Sequence, residues 1–311
     1  MAQAAFLTDP SERPPNGQIT WFEAEDGVRL RAAFWPGGAK GTVLMLPGRT
    51  EYIEKYGPSA SELHDRGFSS ATLDWRGQGL ADHIGADDIT GHVGDFLDFQ
   101  KDLRAFVAEV EARPELPRPY YMLAHSMGGA IGLRGLIYGL DVKAAVFTGP
   151  MWGILIRPHM RPVAHVLGAV AHALGFGDRP IPGMDHGSYG ARVPFEGNML
   201  TTDQEMYALM HDHVVDHPQL ALGAPSMSWL YTALRETDRL KVEKLPDVPS
   251  LIGIGNLERV VDPDRIREMA ARWSSAELIE FNGAEHEILM EVPEVREDLY
   301  SRIAAHFSAA G

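Results

Sequence analysis

Short apolar runs alternate along this chain with stretches in which apolar residues recur every three or four positions. Thr42–Leu46, Phe68–Leu73 and Tyr120–Leu123 are runs of β-favouring residues, each separated from the next by a helical stretch, and that alternation predicts parallel strand pairing. Ahead of them, Ile19–Ala24 and Val28–Trp35 flank Asp26-Gly27, a dipeptide suited to the positive φ angles of a tight hairpin, so the sheet is expected to start antiparallel. Phe96, Phe99, Leu103, Phe106, Val107 and Val110 form one stripe and predict a helix from about Val93 to Ala112, closed before Pro114. Lys143–Thr148, Ser250–Ile254 and Glu277–Phe281 complete the strand set, and a last amphipathic helix is expected over Val295 to Phe307. Internal repeats and low-complexity tracts are missing. The expected fold class is α/β, with a mostly parallel central sheet flanked by helices.

Between Gly149 and about Glu236 the rhythm breaks into a segment rich in Met, Trp, His, Pro and Gly. It reads as an insertion over the carboxyl edge of the sheet, where open α/β sheets bind ligands. The expected division is therefore 1–150 and 237–311 as core and 151–236 as an inserted lid or cap. Met151, Trp152, Ile154, Leu155, Ile156, Met160, Val163, Val166 and Leu167 make the first half of the lid apolar, which fits either a small satellite core or an acyl-chain site. Met151, Trp152 and Ile154 are its candidate substrate contacts.

Composition narrows the classes. The chain has 311 residues, 45% hydrophobic and 23% charged, as in a globular protein, and no apolar stretch is long enough for a membrane span. No secretory signal is visible in Met1 to Gln18, so a cytoplasmic location is the expectation. With no cysteine, disulfides, thiolate metal sites and a cysteine nucleophile are excluded. A formal charge of −15 would repel nucleic acid and anionic lipid surfaces, and no nucleic-acid partner is expected.

Chemistry concentrates at four places. The run Tyr120-Tyr121-Met122-Leu123-Ala124-His125 stops at Ser126, which is followed by Met127-Gly128-Gly129. A strand, a sharp turn and a helix there would expose the serine hydroxyl above the sheet edge and aim free helix N–H groups at it, with Ala124 supplying the small residue the turn needs. A serine needs a base and an oriented base needs an acid. His286 follows the last predicted strand in Asn282-Gly283-Ala284-Glu285-His286-Glu287. Glu258 lies three residues past Gly255, where the preceding strand should end. It is preferred over Asp262, which precedes Pro263 and could simply cap the next helix. The backbone N–H groups of Met127 and of Arg49, in Leu46-Pro47-Gly48-Arg49-Thr50, are the candidate oxyanion donors.

Weaker signals have simpler readings. His211, His213 and His217 include an i,i+4 pair, but the glutamate of the zinc-protease motif is absent and no metal site is expected. Asp74-Trp75-Arg76-Gly77-Gln78-Gly79 lacks the lysine and glycine spacing of a phosphate loop and reads as a structural turn. His125 is expected to pack behind the turn rather than act as base.

With these residues in hand, the chain resembles the α/β-hydrolases of the bacterial lysophospholipase and monoacylglycerol lipase group over about residues 20 to 308. The resemblance rests on Pro47-Gly48-Arg49 with Glu51 and Lys55-Tyr56, Asp74 with Arg76-Gly77-Gln78-Gly79, Gly91-His92-Val93, and the elbow Ala124-His125-Ser126-Met127-Gly128-Gly129-Ala130. It extends through Pro150-Met151-Trp152-Gly153-Ile154, Asn198-Met199-Leu200-Thr201, Glu258–Asp262 and Gly283–Leu289. The order Ser126, Glu258, His286 is also that group's order. What the resemblance implies is a cofactor-free serine hydrolase acting on a small, lipid-like carboxylic ester, with Ser126, Glu258 and His286 as triad. Arg49, Arg157 and Arg161 are isolated cations rather than a basic patch, so monoacylglycerol and simple esters remain as open as lysophospholipid. An aminopeptidase holding its substrate amine on Glu196, Asp203 and Glu205, an acyltransferase, and a non-catalytic ligand-binding protein on the same scaffold are the alternatives.

Overall fold

The computed structural model describes residues 5–157, 159–184 and 187–311. Eight strands form one sheet: β1 (Gln18–Glu23), β2 (Arg29–Trp35), β3 (Thr42–Leu46), β4 (Ser69–Asp74), β5 (Tyr120–His125), β6 (Ala145–Thr148), β7 (Ser250–Gly255) and β8 (Ala276–Phe281). Their order is β1-β2-β4-β3-β5-β6-β7-β8. The β1–β2 and β2–β4 pairs are antiparallel and every later pair is parallel. The Asp26-Gly27 hairpin is present, with Gly27 at φ 82° and Ala24 N–H donating to the Val28 carbonyl at 2.9 Å.

Strands β3, β4 and β5 are buried at every position, the mark of a parallel sheet covered on both faces. On one face, Leu44, Leu46, Leu73 and Met122 pack with Phe99, Leu103 and Phe106 of helix α2 (Phe99–Glu111). On the other, Val43, Met45 and Leu123 pack with Leu63 of helix α1 (Gly57–Asp65) and Phe307 of the carboxyl-terminal helix. The expected start of α2 at Val93 is not observed. Asp95 accepts from Leu97 N–H in a capping box, so the chain turns helical only at Phe96, and Val93 is core without being helix.

Helix α3 (Met127–Ile137) follows β5. Among the described residues, four α-helices lie between β6 and β7: α4 (Arg161–Ala173), α5 (Tyr189–Arg192), α6 (Gln204–Asp216) and α7 (Met227–Leu240). The expected boundary at 236 falls inside α7, because Glu236 is buried in that helix against Arg134 of α3 at 2.6 Å. Gly91 bridges to Pro225 and Ile154 to Val261, which fastens this segment over the carboxyl edge of the sheet, and Pro180 bridges to Ser226 within it. Helices α8 (Pro263–Ala271) and α9 (Pro293–Ala310) complete the second half of the core. The turns after β3, β5, β7 and β8 all open on that carboxyl edge, where residues far apart in sequence meet.

Candidate active site

Ser126 sits between β5 and α3 at φ 49°, ψ −117°, a conformation that non-glycine residues rarely adopt. Small neighbours make the turn possible. A Cβ on Gly128 would lie 2.1 Å from the Leu46 carbonyl oxygen, and one on Gly129 would lie 2.6 Å from Pro150 Cβ. The β5 register brings Ala124 beside Leu46 and Phe147, where the absence of bulk also serves.

His286 stands 2.9 Å from Ser126 Oγ through Nε2 and 2.7 Å from Glu258 Oε2 through Nδ1. The carboxylate selects the Nδ1–H tautomer and leaves Nε2 to accept from the serine hydroxyl. Glu258 is itself held: its Oε1 accepts from Val260 N–H at 2.7 Å and Val261 N–H at 3.0 Å. Burial opposes its charge, but His286 and these two amides outweigh burial and hold the carboxyl below its ordinary range. Asp262 is elsewhere, accepting from Arg265 N–H at 3.1 Å as the cap of α8.

The loop after β3 is held from below. Glu51 takes the Gly48 N–H, and Gln78 accepts from Thr50 N–H at 2.8 Å while donating to the Gly48 carbonyl at 3.2 Å. Between them the Arg49 amide, like the Met127 amide at the first position of α3, meets no protein acceptor among the described residues. The Asp74–Gly79 segment is thus a scaffold turn, as expected: Asp74 accepts from Ile53 N–H and Leu80 N–H, and Gln78 supports the loop.

Beneath the elbow lies a buried ionic cluster that sequence reasoning did not assemble. Lys55 Nζ is 2.6 Å from Glu51 and 2.7 Å from Glu287, and Tyr56 donates to Glu51 at 2.7 Å. His125 packs behind the turn, as expected, against the Thr148 carbonyl at 2.9 Å and with Nε2 3.2 Å from Glu287. Burial disfavours its charge, yet Glu287 and Glu51 raise its pKa. Glu51, His125 and Glu287 converge closely enough to ligate a metal, but the Lys55 ammonium already lies against both carboxylates and supplies the positive charge there. The i,i+4 spacing of Glu51 and Lys55 was the available signal; nothing in the sequence announced Glu287 as their partner. His211 and His213 have separate partners, the Gly190 carbonyl and Glu12.

A cavity of about 460 Å³ opens beside Ser126 and His286. Met151 and Ile154 line it, but Trp152 does not: it is buried in the core against Phe147 and Trp273, with its indole N–H on the Gly129 carbonyl at 3.1 Å. The apolar first half of the inserted segment forms neither a satellite core nor the main wall. Val166 and Leu167 on α4 are 61% and 60% exposed, and Leu155 is 55% exposed. The walls come from later residues, Met184, Met199, Leu200, Met210, Val214 and Leu222, whose spacing carries no regular period.

Residues 37–293 match the family described as serine aminopeptidase, S33. The chain is also 34% identical to lysophospholipase L2 of Escherichia coli strain K12 over 266 residues, 82% of this chain and 76% of that protein. The chain belongs to this α/β-hydrolase family. The hydrolase is 27% identical to a monoglyceride lipase of Saccharomyces cerevisiae over 146 residues, 44% of this chain and 45% of that one. A crystal structure of a soluble variant of monoglyceride lipase from the same yeast, in complex with a substrate analog, superposes with a TM-score of 0.74 at 20% identity, covering 96% of this chain and 98% of that one. The fold and the group expected from the sequence are those found, and the protein is a carboxylester hydrolase. Among the described residues, no helix is long and apolar enough to cross a membrane.

Proposed function

We propose that this hydrolase cleaves the ester of single-chain glycerolipids, lysophospholipid or monoacylglycerol, through an acyl-enzyme on Ser126. The observation that carries the reading is the Ser126–His286–Glu258 relay, 2.9 Å and 2.7 Å at its two links, at the edge of an apolar-walled cavity of acyl-chain size. His286 Nε2 takes the hydroxyl proton as Oγ adds to the ester carbonyl, and Glu258 stabilises the imidazolium that results. The amides of Arg49 and Met127 receive the oxyanion, and the imidazolium returns its proton to the leaving glycerol oxygen. Water then enters, loses a proton to Nε2 and releases the fatty acid. The segment between β6 and β7 acts as the lid and encloses the chain.

An amine-recognising site has less support. Asp203 is committed to the N-terminus of α6, accepting from Glu205 N–H at 2.8 Å, and Glu196, Asp203 and Glu205 are not among the residues lining the cavity.

Initial rates on p-nitrophenyl esters from acetyl to palmitoyl, with Ser126→Ala as control and a fluorophosphonate as label, test the reading. We expect a preference for medium or long chains, labelling at Ser126, and a loss of about 10⁴-fold or more in the variant. Surviving activity in Ser126→Ala, or a wild type that neither turns over esters nor labels, overturns it.

A further inference from the structure

Among the described residues, the cavity wall holds a cation with no counter-charge. Arg49 is a half-buried residue of the cavity wall whose guanidinium leaves the loop after β3 and reaches the inserted segment. There one Nη2–H bonds to the Gly223 carbonyl, and Cζ lies 5.3 Å from the centre of the Trp229 ring. Gly91 makes room for it, since a Cβ at that position would lie 2.8 Å from Nη2, which gives a physical role to the Gly91-His92-Val93 landmark. Nε is buried without an acceptor, Nη1 meets none among the described residues, and no described carboxylate lies within ion-pair distance. Lys55, another cation of the lining, is held between Glu51 and Glu287. Neutral contacts hold the guanidinium in place but leave its charge uncompensated, an arrangement that costs stability in a partly desolvated site unless a ligand supplies the anion. Burial pulls the Arg49 pKa down to about 10, which leaves it charged at neutral pH.

Resting on the ester-hydrolase reading above, we propose that the Arg49 side chain recognises the anionic phosphate ester of the substrate headgroup, which makes lysophospholipids preferred over neutral monoacylglycerols. The same residue supplies its backbone amide to the oxyanion, so its guanidinium sits one side-chain length from the reacting carbonyl. In a 1-acyl glycerophospholipid the glycerol backbone separates carbonyl from phosphorus by a similar reach. A planar fork of N–H donors suits phosphate oxygens.

The test compares kcat/KM for 1-lauroylglycerol 3-phosphate and 1-lauroylglycerol, both below their aggregation concentrations, in wild type, Arg49→Gln and Arg49→Lys. Only the ratio is read, so any loss common to both substrates through the oxyanion loop cancels. Wild type should favour the phosphate ester, Arg49→Gln should lower the ratio about tenfold to a hundredfold, and Arg49→Lys should restore part of it. Glycerol 3-phosphate, but not glycerol, should inhibit the wild type competitively, a reading that needs no variant to fold. An unchanged ratio in Arg49→Gln, or equal inhibition by glycerol and its phosphate, overturns the assignment while leaving the hydrolase reading intact. A wild type that hydrolyses neither lipid overturns the lipid reading itself.

Discussion

Replacing Lys55 by Met removes one charge from the cluster beneath the elbow and keeps most of the side-chain volume. In the wild type the Lys55 side chain is 8% exposed and its ammonium touches two carboxylates, Glu51 at 2.6 Å and Glu287 at 2.7 Å. Without it two buried carboxylates face each other with only His125 to offset them. Removing one partner of a buried ion pair costs about 3–5 kcal/mol, because the remaining charge stays desolvated. At about 1.5 °C per kcal/mol for a chain of this size, Tm should fall by about 5–8 °C.

The penalty also has a pH signature. In the wild type burial opposes ionisation of Glu287, but His125 and Lys55 outweigh it and hold the carboxyl well below its ordinary range. A depressed folded pKa contributes stability above the unfolded value of about 4.3 and loses it as pH falls through the folded value. Removing Lys55 takes away part of that depression, so the variant regains ground on the wild type as pH falls and a carboxyl binds a proton. His125 acts with the same sign. Its raised pKa contributes stability that is complete below the unfolded value of about 6.5 and is lost as pH rises through the folded value, when the variant cluster loses its last cation. Urea unfolding of both proteins at pH 5, 6, 7 and 8 should therefore show a difference that grows with pH, and Lys55→Met with Glu287→Gln should recover part of it. A difference below about 1 kcal/mol at pH 8, or one independent of pH, would refute the assignment of Lys55 as the compensating charge.

Further expectations concern the site itself. Glu258→Gln should lower kcat on p-nitrophenyl esters by about 10³–10⁴-fold with little change in KM, whereas Asp262→Asn, which touches only the cap of α8, should cost at most about 1 kcal/mol of stability and leave kcat near wild type; the reverse pattern would move the acid to Asp262. Glu258→Gln should also flatten the acid limb of the stability curve, since the lowered pKa of Glu258 contributes stability above about pH 4.3 that is lost as pH falls through its folded value, and urea unfolding between pH 3 and 6 checks this. Gly128→Ala puts a methyl 2.1 Å from the Leu46 carbonyl and should destabilise by about 3 kcal/mol or more in thermal unfolding, against a much milder effect for Gly139→Ser, where a side chain meets open space and only the positive φ resists.

The elements legible in the sequence were those whose burial is uniform. Thr42–Leu46 is wholly apolar or β-branched because both its faces are covered, and its strand limits match the expected ones. Ser126, Glu258 and His286 were each legible one at a time, since each stands where an apolar run ends and a small-residue turn begins. The lid was less legible. Its apolar first half advertises a pocket, but Val166 and Leu167 face outward, and Trp152 turns into the core to reach the Gly129 carbonyl. Which face of an inserted helix is buried depends on what it meets, and α4 meets α7 rather than the cavity.

By itself, then, the sequence determined the strand and helix periods, the sharp turn at Ser126 and the chemical types available at the sheet edge, because these follow from local sterics and from apolar patterning over a few residues. Only the tertiary structure decided which charges compensate one another. Glu51 and Glu287 lie far apart along the chain and share one ammonium because the turns after β3 and β8 converge, while Arg49 meets no such partner among the described residues. Electrostatic pairing falls off with distance through space and is indifferent to separation along the chain, so no reading of spacing alone could have distinguished the neutralised cluster from the unpaired cation beside it.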